Sequence, residues 1–246
     1  MRAFILAAGL GTRLRPLTDR IPKPLVEVAG EPLIERAVRQ LVAAGVRDIG
    51  VNLFHLGEQI AAHLGDGERF GARLRYFDER PHIRGTGGGL KHAEEFLRGD
   101  GGAFVLVNGD VWHSFDLTRL AASHHADTLA TLAVYREPRR PELHLVGCAT
   151  DGRVVQIHDA AAPHGGVALR AIYTGVGVFD CRVLDWLPAA DKLSGLISHA
   201  IMPALIADER IGWAEPAGAW YDCGTHGELL RAASHALRTR RAASAA

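Results

Sequence analysis

The order of hydrophobic patterns predicts an α/β fold: one domain built on a mostly parallel sheet with helices on both faces. Three observations carry this. Through residues 1–136, short apolar runs alternate with helix-spaced segments, the rhythm of β-α-β units. AFVLVNGD (103–110) is apolar at consecutive positions, as a strand covered on both faces must be. No repeat and no Pro/Gly/Ser linker divides the 246 residues, a length that suits one large domain.

RAFILAA (2–8) reads as the first strand. PLIERAVRQLVAAG (32–45) places apolar residues at helical spacing and stops at Gly45. DIGVNLF (48–54) is a second strand, GEQIAAHLG (57–65) a helix closed by Gly65, and LRYFDE (74–79) a third strand. GGLKHAEEFLRG (88–99) predicts one helix opened by glycines, followed by the strand at 103–110. LTRLAASHHA (117–126) is helical and TLATLAVYR (128–136) a strand. After residue 136 the rhythm changes. EPRRPEL (137–143) is a loop, and HLVGCATDGRVVQIHD (144–159) a hairpin turning at Asp-Gly. ALRAIYTGVGVFD (168–180) is a strand, LISHAIMPALIADE (196–209) a helix, and IGWAEPAGAWYDCGT (211–225) strand-like, before a closing helix from Glu228. We expect one domain over 1–240, divided into halves 1–136 and 137–240, with a frayed tail at 241–246.

Composition excludes several functions. The 28 basic residues balance 28 acidic ones, so no nucleic-acid footprint or attraction to anionic membranes is expected. No apolar run reaches the roughly 18 to 20 residues that span a bilayer. Cys148, Cys181 and Cys223 form no CxxC pair, which argues against a disulfide framework or a zinc site and for a reducing, cytoplasmic setting. Of the 13 histidines, only His124 and His125 are adjacent. Neighbours on a helix diverge, so they make a poor chelate.

In LAAGLGTRLRPLT (6–18) a strand runs into a glycine turn followed by arginines. Amides of Gly9, Gly11 and Thr12 can converge on phosphate oxygens as a nest, and Arg13 adds charge-assisted bonds. The spacing fits neither the Walker loop nor the dinucleotide fingerprint. In IPKPL (21–25), prolines on either side of Lys23 restrict its swing; alone it reads as a solvated lysine, beside the glycine loop as a phosphate ligand. VNGDVW (107–112) ends a buried strand on Asp110, at the sheet edge where ligands bind. That carboxylate suits Mg2+ or a helix cap, and the segment does not choose. Asp222 in WYDCGT (220–225) is likewise a turn carboxylate or a second ligand to the same ion.

Taken in order, LAAGLGTRLRPLT, PKPL, RGTGGGL (84–90), VNGD, YTGVGVF (173–179) and WYDCGT resemble the sugar-1-phosphate nucleotidyltransferases, the pyrophosphorylases that make nucleoside-diphosphate sugars. The resemblance covers nearly the whole chain, and LGDGERFGARLRYFDE (64–79) extends it. It implies the Rossmann-like nucleotide-diphospho-sugar transferase fold. It also implies that Ala8, Gly9, Gly11 and Thr12 wrap the nucleotide, with Arg13 and Lys23 on its phosphates, and that Asn108 joins the nucleotide site. Thr86, Gly87 and Gly88 would line the base pocket, Thr174 and Gly175 would border the sugar, and Asp110 and Asp222 would hold Mg2+, with Asp110 also facing the substrate. The implied catalytic set is Arg13, Lys23, Asp110 and Asp222.

The chain departs from its relatives in two places. Many carry Glu-Lys-Pro after the hairpin, its lysine holding the sugar phosphate, where this chain has QIHDAAAP (156–163); either another base, Arg170 or Arg139, does that work or the charge is absent. Thymidylyl and uridylyl members often have glutamine before the glycine loop, where this chain has ERPHIRG (79–85). Short length, GTGGG, VNGDVW and the missing lysine look most like the N-acetylmuramate-1-phosphate uridylyltransferases of cell-wall recycling. Mannose- and heptose-1-phosphate guanylyltransferases come next. Implied partners are a nucleoside triphosphate and a sugar 1-phosphate, acting on a monomer or homodimer. Two other classes stay open: a nucleotide-sugar-binding regulatory protein, and a cytidylyltransferase for a small alcohol phosphate.

Overall fold

A computed structural model describes residues 1–244 apart from 100, 138, 139, 141, 142 and 144. Strand β1 (Arg2–Leu6) is followed by the short strands β2 (Glu27–Val28) and β3 (Glu31–Pro32), helix α1 (Leu33–Ala43), β4 (Asp48–Leu53) and α2 (Gly57–Leu64). Next come β5 (Arg73–Asp78), α3 (Gly85–His92), α4 (Glu94–Arg98), β6 (Ala103–Asn108), β7 (Trp112–His113), α5 (Leu117–Ala122) and β8 (Ala130–Tyr135). The second half comprises β9 (Val146–Cys148), β10 (Val154–Ile157), β11 (Ala160–Ala161) and β12 (Leu169–Asp180). It ends with α6 (Met202–Ile206), β13 (Ile211–Ala214), β14 (Trp220–Tyr221) and α7 (His226–Ser244).

The main sheet runs β11-β10-β9-β12-β6-β1-β4-β5, with β8 on β12 and β13 on β8. Its N-terminal part is parallel throughout, β1 lying between β4 and β6 and β5 beside β4. Alternation along these strands fills both faces. Phe4, Phe104 and Leu106 face α3, α4 and α6, while Ala3, Ile5, Val105 and Val107 face α1, α2 and α5. Both sides are therefore apolar, which is why the strand sequences read as continuous hydrophobic runs. The long β12 is antiparallel to β6, β8 and β9 and joins the parallel part to the hairpin. The ligand edge of a parallel sheet, beyond the carboxyl ends of its strands, lies after β1 at the glycine loop and after β6 at Asp110.

Several expected elements differ. The helix expected over 88–99 is two, broken at Ala93 and starting earlier, at Gly85. Residues 196–209 begin with a π-helical turn at Ile197–Ile201 before α6. The closing helix continues through Ser244, so 241–244 are helical rather than a frayed tail; α7 packs Ala232 and Ala236 against Val28, Leu33 and Trp112. His124 and His125 lie past the end of α5, and His124 Nδ1 meets Thr131 Oγ1 at 2.9 Å. All three cysteines are buried free thiols. Among the described residues, no helix is long and apolar enough to cross a membrane.

Candidate active site

Beyond β1 the chain must turn sharply, and Gly11 permits it with φ +64°. A side chain there would also strike Thr18, whose hydroxyl donates to the Gly11 carbonyl at 2.8 Å. Buried Leu14 anchors the short helical turn that follows, leaving Arg13 facing outward, its guanidinium over Gly224. Pro22 and Pro24 hold Lys23 in a similar turn. Its side chain is only 6% exposed, and Nζ donates to Asp110 Oδ2 at 2.6 Å. The lysine that alone would have read as solvated is thus a buried cation aimed at the end of β6.

Asp110 and Asp222 are brought together by the ribbon of β7 and β14. Trp220 pairs with His113 and Tyr221 with Trp112. Asp222 follows directly on Tyr221, and it lines the second cavity together with Asp110. Burial pushes the Asp222 carboxyl above its ordinary range; Lys23 and Arg13 pull it down, and the neighbouring Asp110 charge pushes it up. Arg13 sits 3.8 Å from Asp222. Two carboxylates close enough to repel, each beside a cation, form the donor set that a hard divalent ion takes together with phosphate oxygens. No cluster of three or more His, Cys, Asp or Glu suited to a metal occurs among the described residues.

Two cavities meet here. The first, about 430 Å³, is lined by residues 6–13 together with Lys23, Pro24, Asn52, Glu79, Ile83, Gly85, Thr86, Asn108, Asp110 and Gly224. The second, about 420 Å³, is lined by Arg13, Asn108, Asp110 and Asp222 at one end. Its other walls are Leu132, Leu143, Leu145, Val146, Ile157, His158, Ile172, Tyr173, Thr174, Gly175 and Trp220. Arg13, Asn108 and Asp110 belong to both. Between Tyr173 and Gly177 the register of β12 slips, and Gly175 at φ +76° lets the strand close on the Asn108 side chain. The Thr174 hydroxyl turns away from the second cavity and donates to the Ala133 carbonyl at 2.7 Å.

Ala8, Gly9, Gly11, Thr12, Arg13, Lys23, Thr86, Asn108 and Asp110 therefore gather around the first cavity. Asp222, Thr174 and Gly175 gather around the second. Gly87 and Gly88 line neither. Their amides donate to the Ser194 carbonyl, at 2.8 and 3.3 Å, and a Cβ on Gly87 would meet Leu187 and Ser194. Their smallness lets the segment around Ser194 pack against them. Arg170, one expected replacement for the missing lysine, lines neither cavity and donates to Gln156 at 2.7 Å; Arg139 lies outside the described residues.

The sequence reading missed a buried pair in the first cavity. Asn52 accepts from the Ala7 amide at 2.7 Å and donates to Glu79 Oε1 at 2.7 Å. Glu79 Oε2 accepts from the Arg84 amide, also at 2.7 Å. Both residues are at most 2% exposed, so their satisfied network fixes the glycine loop to β4 and the start of α3. The available signal was Asn52 itself, a lone amide inside an apolar strand.

The profile described as "Nucleotidyl transferase" matches residues 2–239. N-acetylmuramate alpha-1-phosphate uridylyltransferase of Neisseria meningitidis serogroup B is 34% identical over 234 residues, 92% of this chain and 94% of that protein. UTP–glucose-1-phosphate uridylyltransferase of Synechocystis is 32% identical over 78% of this chain, which spans about half (52%) of it. Mannose-1-phosphate guanylyltransferase of Mycobacterium tuberculosis is 31% identical over 96% of this chain and 64% of its own length. Among solved structures, a glucose-1-phosphate thymidylyltransferase described from Bacillus anthracis superposes with TM-score 0.79 at 23% identity, covering 96% of this chain and 95% of that one. HddC of Yersinia pseudotuberculosis, in complex with GMP-PN, gives 0.76 at 20%, covering 95% and 98%. With a profile match along almost its whole length and a full-length relative at this identity, the chain belongs to the nucleotidyl transferase family.

Proposed function

We propose that the protein joins a nucleoside triphosphate and a sugar 1-phosphate into a nucleoside-diphosphate sugar, releasing pyrophosphate. The carrying observation is the junction: two cavities of similar size share Arg13, Asn108 and Asp110, so two ligands would meet at that seam. The first cavity takes the triphosphate, its phosphates on the amides of 9–12 and on Arg13 and Lys23. The second takes the sugar phosphate.

The acceptor phosphate is already an anion at neutral pH, so no general base is needed. Its oxygen forms a bond to the α-phosphorus while the α–β bridging bond breaks, the electron pair leaving with pyrophosphate. The protein holds two mutually repelling polyanions in line and offsets their charge. Arg13 and Lys23 do this from the nucleotide side, and the Asn52–Glu79 network keeps the loop in place. Asp110 and Asp222 would hold Mg2+, which when bound adds positive charge beside the phosphate oxygens.

For the acceptor we propose N-acetylmuramate 1-phosphate, with UTP as donor, a reaction of cell-wall recycling in the cytoplasm. The near full-length likeness to the Neisseria protein supports this. So do the apolar walls of the second cavity, from Leu132 to Trp220, which suit the methyl groups of acetyl and lactyl substituents better than a plain hexose. One observation favours guanylyl transfer instead: buried Glu79 in the first cavity is an acceptor-only carboxylate whose two oxygens each take one bond within the protein and can each accept a second, which suits a base edge presenting two donors, as guanine does. Pyrophosphate release over UTP and GTP, each with N-acetylmuramate, mannose and heptose 1-phosphates, separates these. Release with UTP and N-acetylmuramate 1-phosphate alone supports the first reading, and release with GTP the second. Silence throughout contradicts the enzyme.

A further inference from the structure

Lys23 has two claimants. Pro22 and Pro24 hold its backbone in a short turn, and its stem lies against the glycine loop: a Cβ on Gly11 would come within 3.2 Å of the Lys23 Cβ. The residue lines the first cavity, which puts its ammonium beside the phosphates of a triphosphate there. Yet Nζ donates to Asp110 Oδ2 at 2.6 Å, and Asp110 is one of the two carboxylates suited to the divalent cation. An ammonium on one oxygen of a carboxylate repels a divalent cation at the other.

The charges at the seam balance without an ion, since Arg13 and Lys23 face Asp222 and Asp110. The two pairs are unequal. The Arg13 side chain is 63% exposed and stands 3.8 Å from Asp222, where solvent screens the attraction. The Lys23 side chain is 6% exposed and in direct contact with its carboxylate. Taking Asp110 away from it would leave a buried charge unpaired, which is costly. Lys23 can therefore give up Asp110 only where another anion takes its place, and a divalent cation supplies none. A triphosphate against the glycine loop does.

We propose that Lys23 couples metal to nucleotide: it is the counter-ion of Asp110 in the free protein, and it releases that carboxylate to the divalent cation when triphosphate oxygens take up its ammonium. This rests on the functional reading above, which puts a triphosphate in the first cavity, and adds how the seam fills. By linkage, the metal affinity gained through Lys23 on nucleotide binding equals the nucleotide affinity gained on metal binding.

The test is Mn2+ titration of the full chain without nucleotide, followed by electron paramagnetic resonance. Lys23→Met removes the ammonium at similar length, and Lys23→Gln keeps a hydrogen-bond donor without the charge. Both are expected to bind Mn2+ at least about tenfold more tightly than the wild type, and Lys23→Met combined with Asp110→Ala to lose the gain. A calorimetric titration in EDTA then compares non-hydrolysable UTP and GTP analogues. The one that the wild type binds more tightly is expected to bind Lys23→Met about tenfold more weakly. Unchanged Mn2+ affinity in a neutral variant with wild-type circular dichroism overturns the proposal. So does a gain that survives Asp110→Ala, unchanged analogue affinity in Lys23→Met, or no binding of either analogue by the wild type. Failure of the functional reading looks different: the Mn2+ and analogue results hold, and no sugar 1-phosphate releases pyrophosphate.

Discussion

The first cavity borders the glycine loop of residues 6–13 and the second a wall of large apolar residues. Residues 6–13, with Gly9 and Gly11 among them, line the first cavity and are held by the buried Asn52–Glu79 network. Opposite, Leu132, Ile157, Ile172, Tyr173 and Trp220 reach inward from β8, β10, β12 and β14. Peptide amides serve any phosphate, because every residue supplies one. A wall of side chains can change one position at a time and so set which acceptor fits. In this account the N-terminal cavity performs the general task of gripping a triphosphate, and the C-terminal cavity carries selectivity.

The largest expected effect falls on the seam, where the contrast between the cavities ends. Asp110→Ala and Asp222→Ala each abolish turnover in a pyrophosphate-release assay; near-normal activity of either at modest Mg2+ removes the metal assignment. Arg13→Ala comes next, with kcat/KM lower by about 10² to 10³ if its contact forms mainly in the transition state.

Glu79→Gln sharpens the comparison from the nucleotide side. It removes the charge of a buried acceptor in the first cavity, and is expected to change the GTP-to-UTP ratio of kcat/KM about tenfold. Acceptor KM should stay constant; a shift there instead would mean the cavities are not independent. Gly175→Ala probes the other side. Positive φ and the Asn108 contact put its cost at about 1–3 kcal/mol, read as a Tm lower by several degrees.

The smallest effect concerns the ribbon that carries the carboxylates. Burial pushes His113, on β7, down to about 3 from 6.5, so the folded state keeps it neutral while the unfolded chain protonates. Stability from this residue is complete above 6.5 and is lost as pH falls toward about 3. In His113→Gln the acid loss of stability is expected to flatten over that window, followed by urea unfolding at stepped pH.

How far the sequence discloses the molecule follows the same division. The glycine loop and the Lys23 turn were legible because glycine and proline act on their own backbone, whatever surrounds them. The parallel core was legible because alternation fills both faces of one strand. Gly87 and Gly88 donate to the Ser194 carbonyl, a contact with a segment remote in sequence that the glycine run did not disclose. Arg170 was expected as a phosphate ligand, but cross-strand Gln156 takes it up. Asn52 and Glu79 escaped notice because the partners of a lone polar side chain depend on tertiary packing. The convergence of Asp110 and Asp222 depends on the β7–β14 register, which spacing along the chain does not encode.

That convergence is tested most directly by Mn2+ binding, followed by electron paramagnetic resonance with a non-hydrolysable UTP analogue bound. The account predicts one ion per wild-type chain, lost in both Asp110→Ala and Asp222→Ala. Retention at undiminished affinity in either variant would contradict a shared cation at the seam.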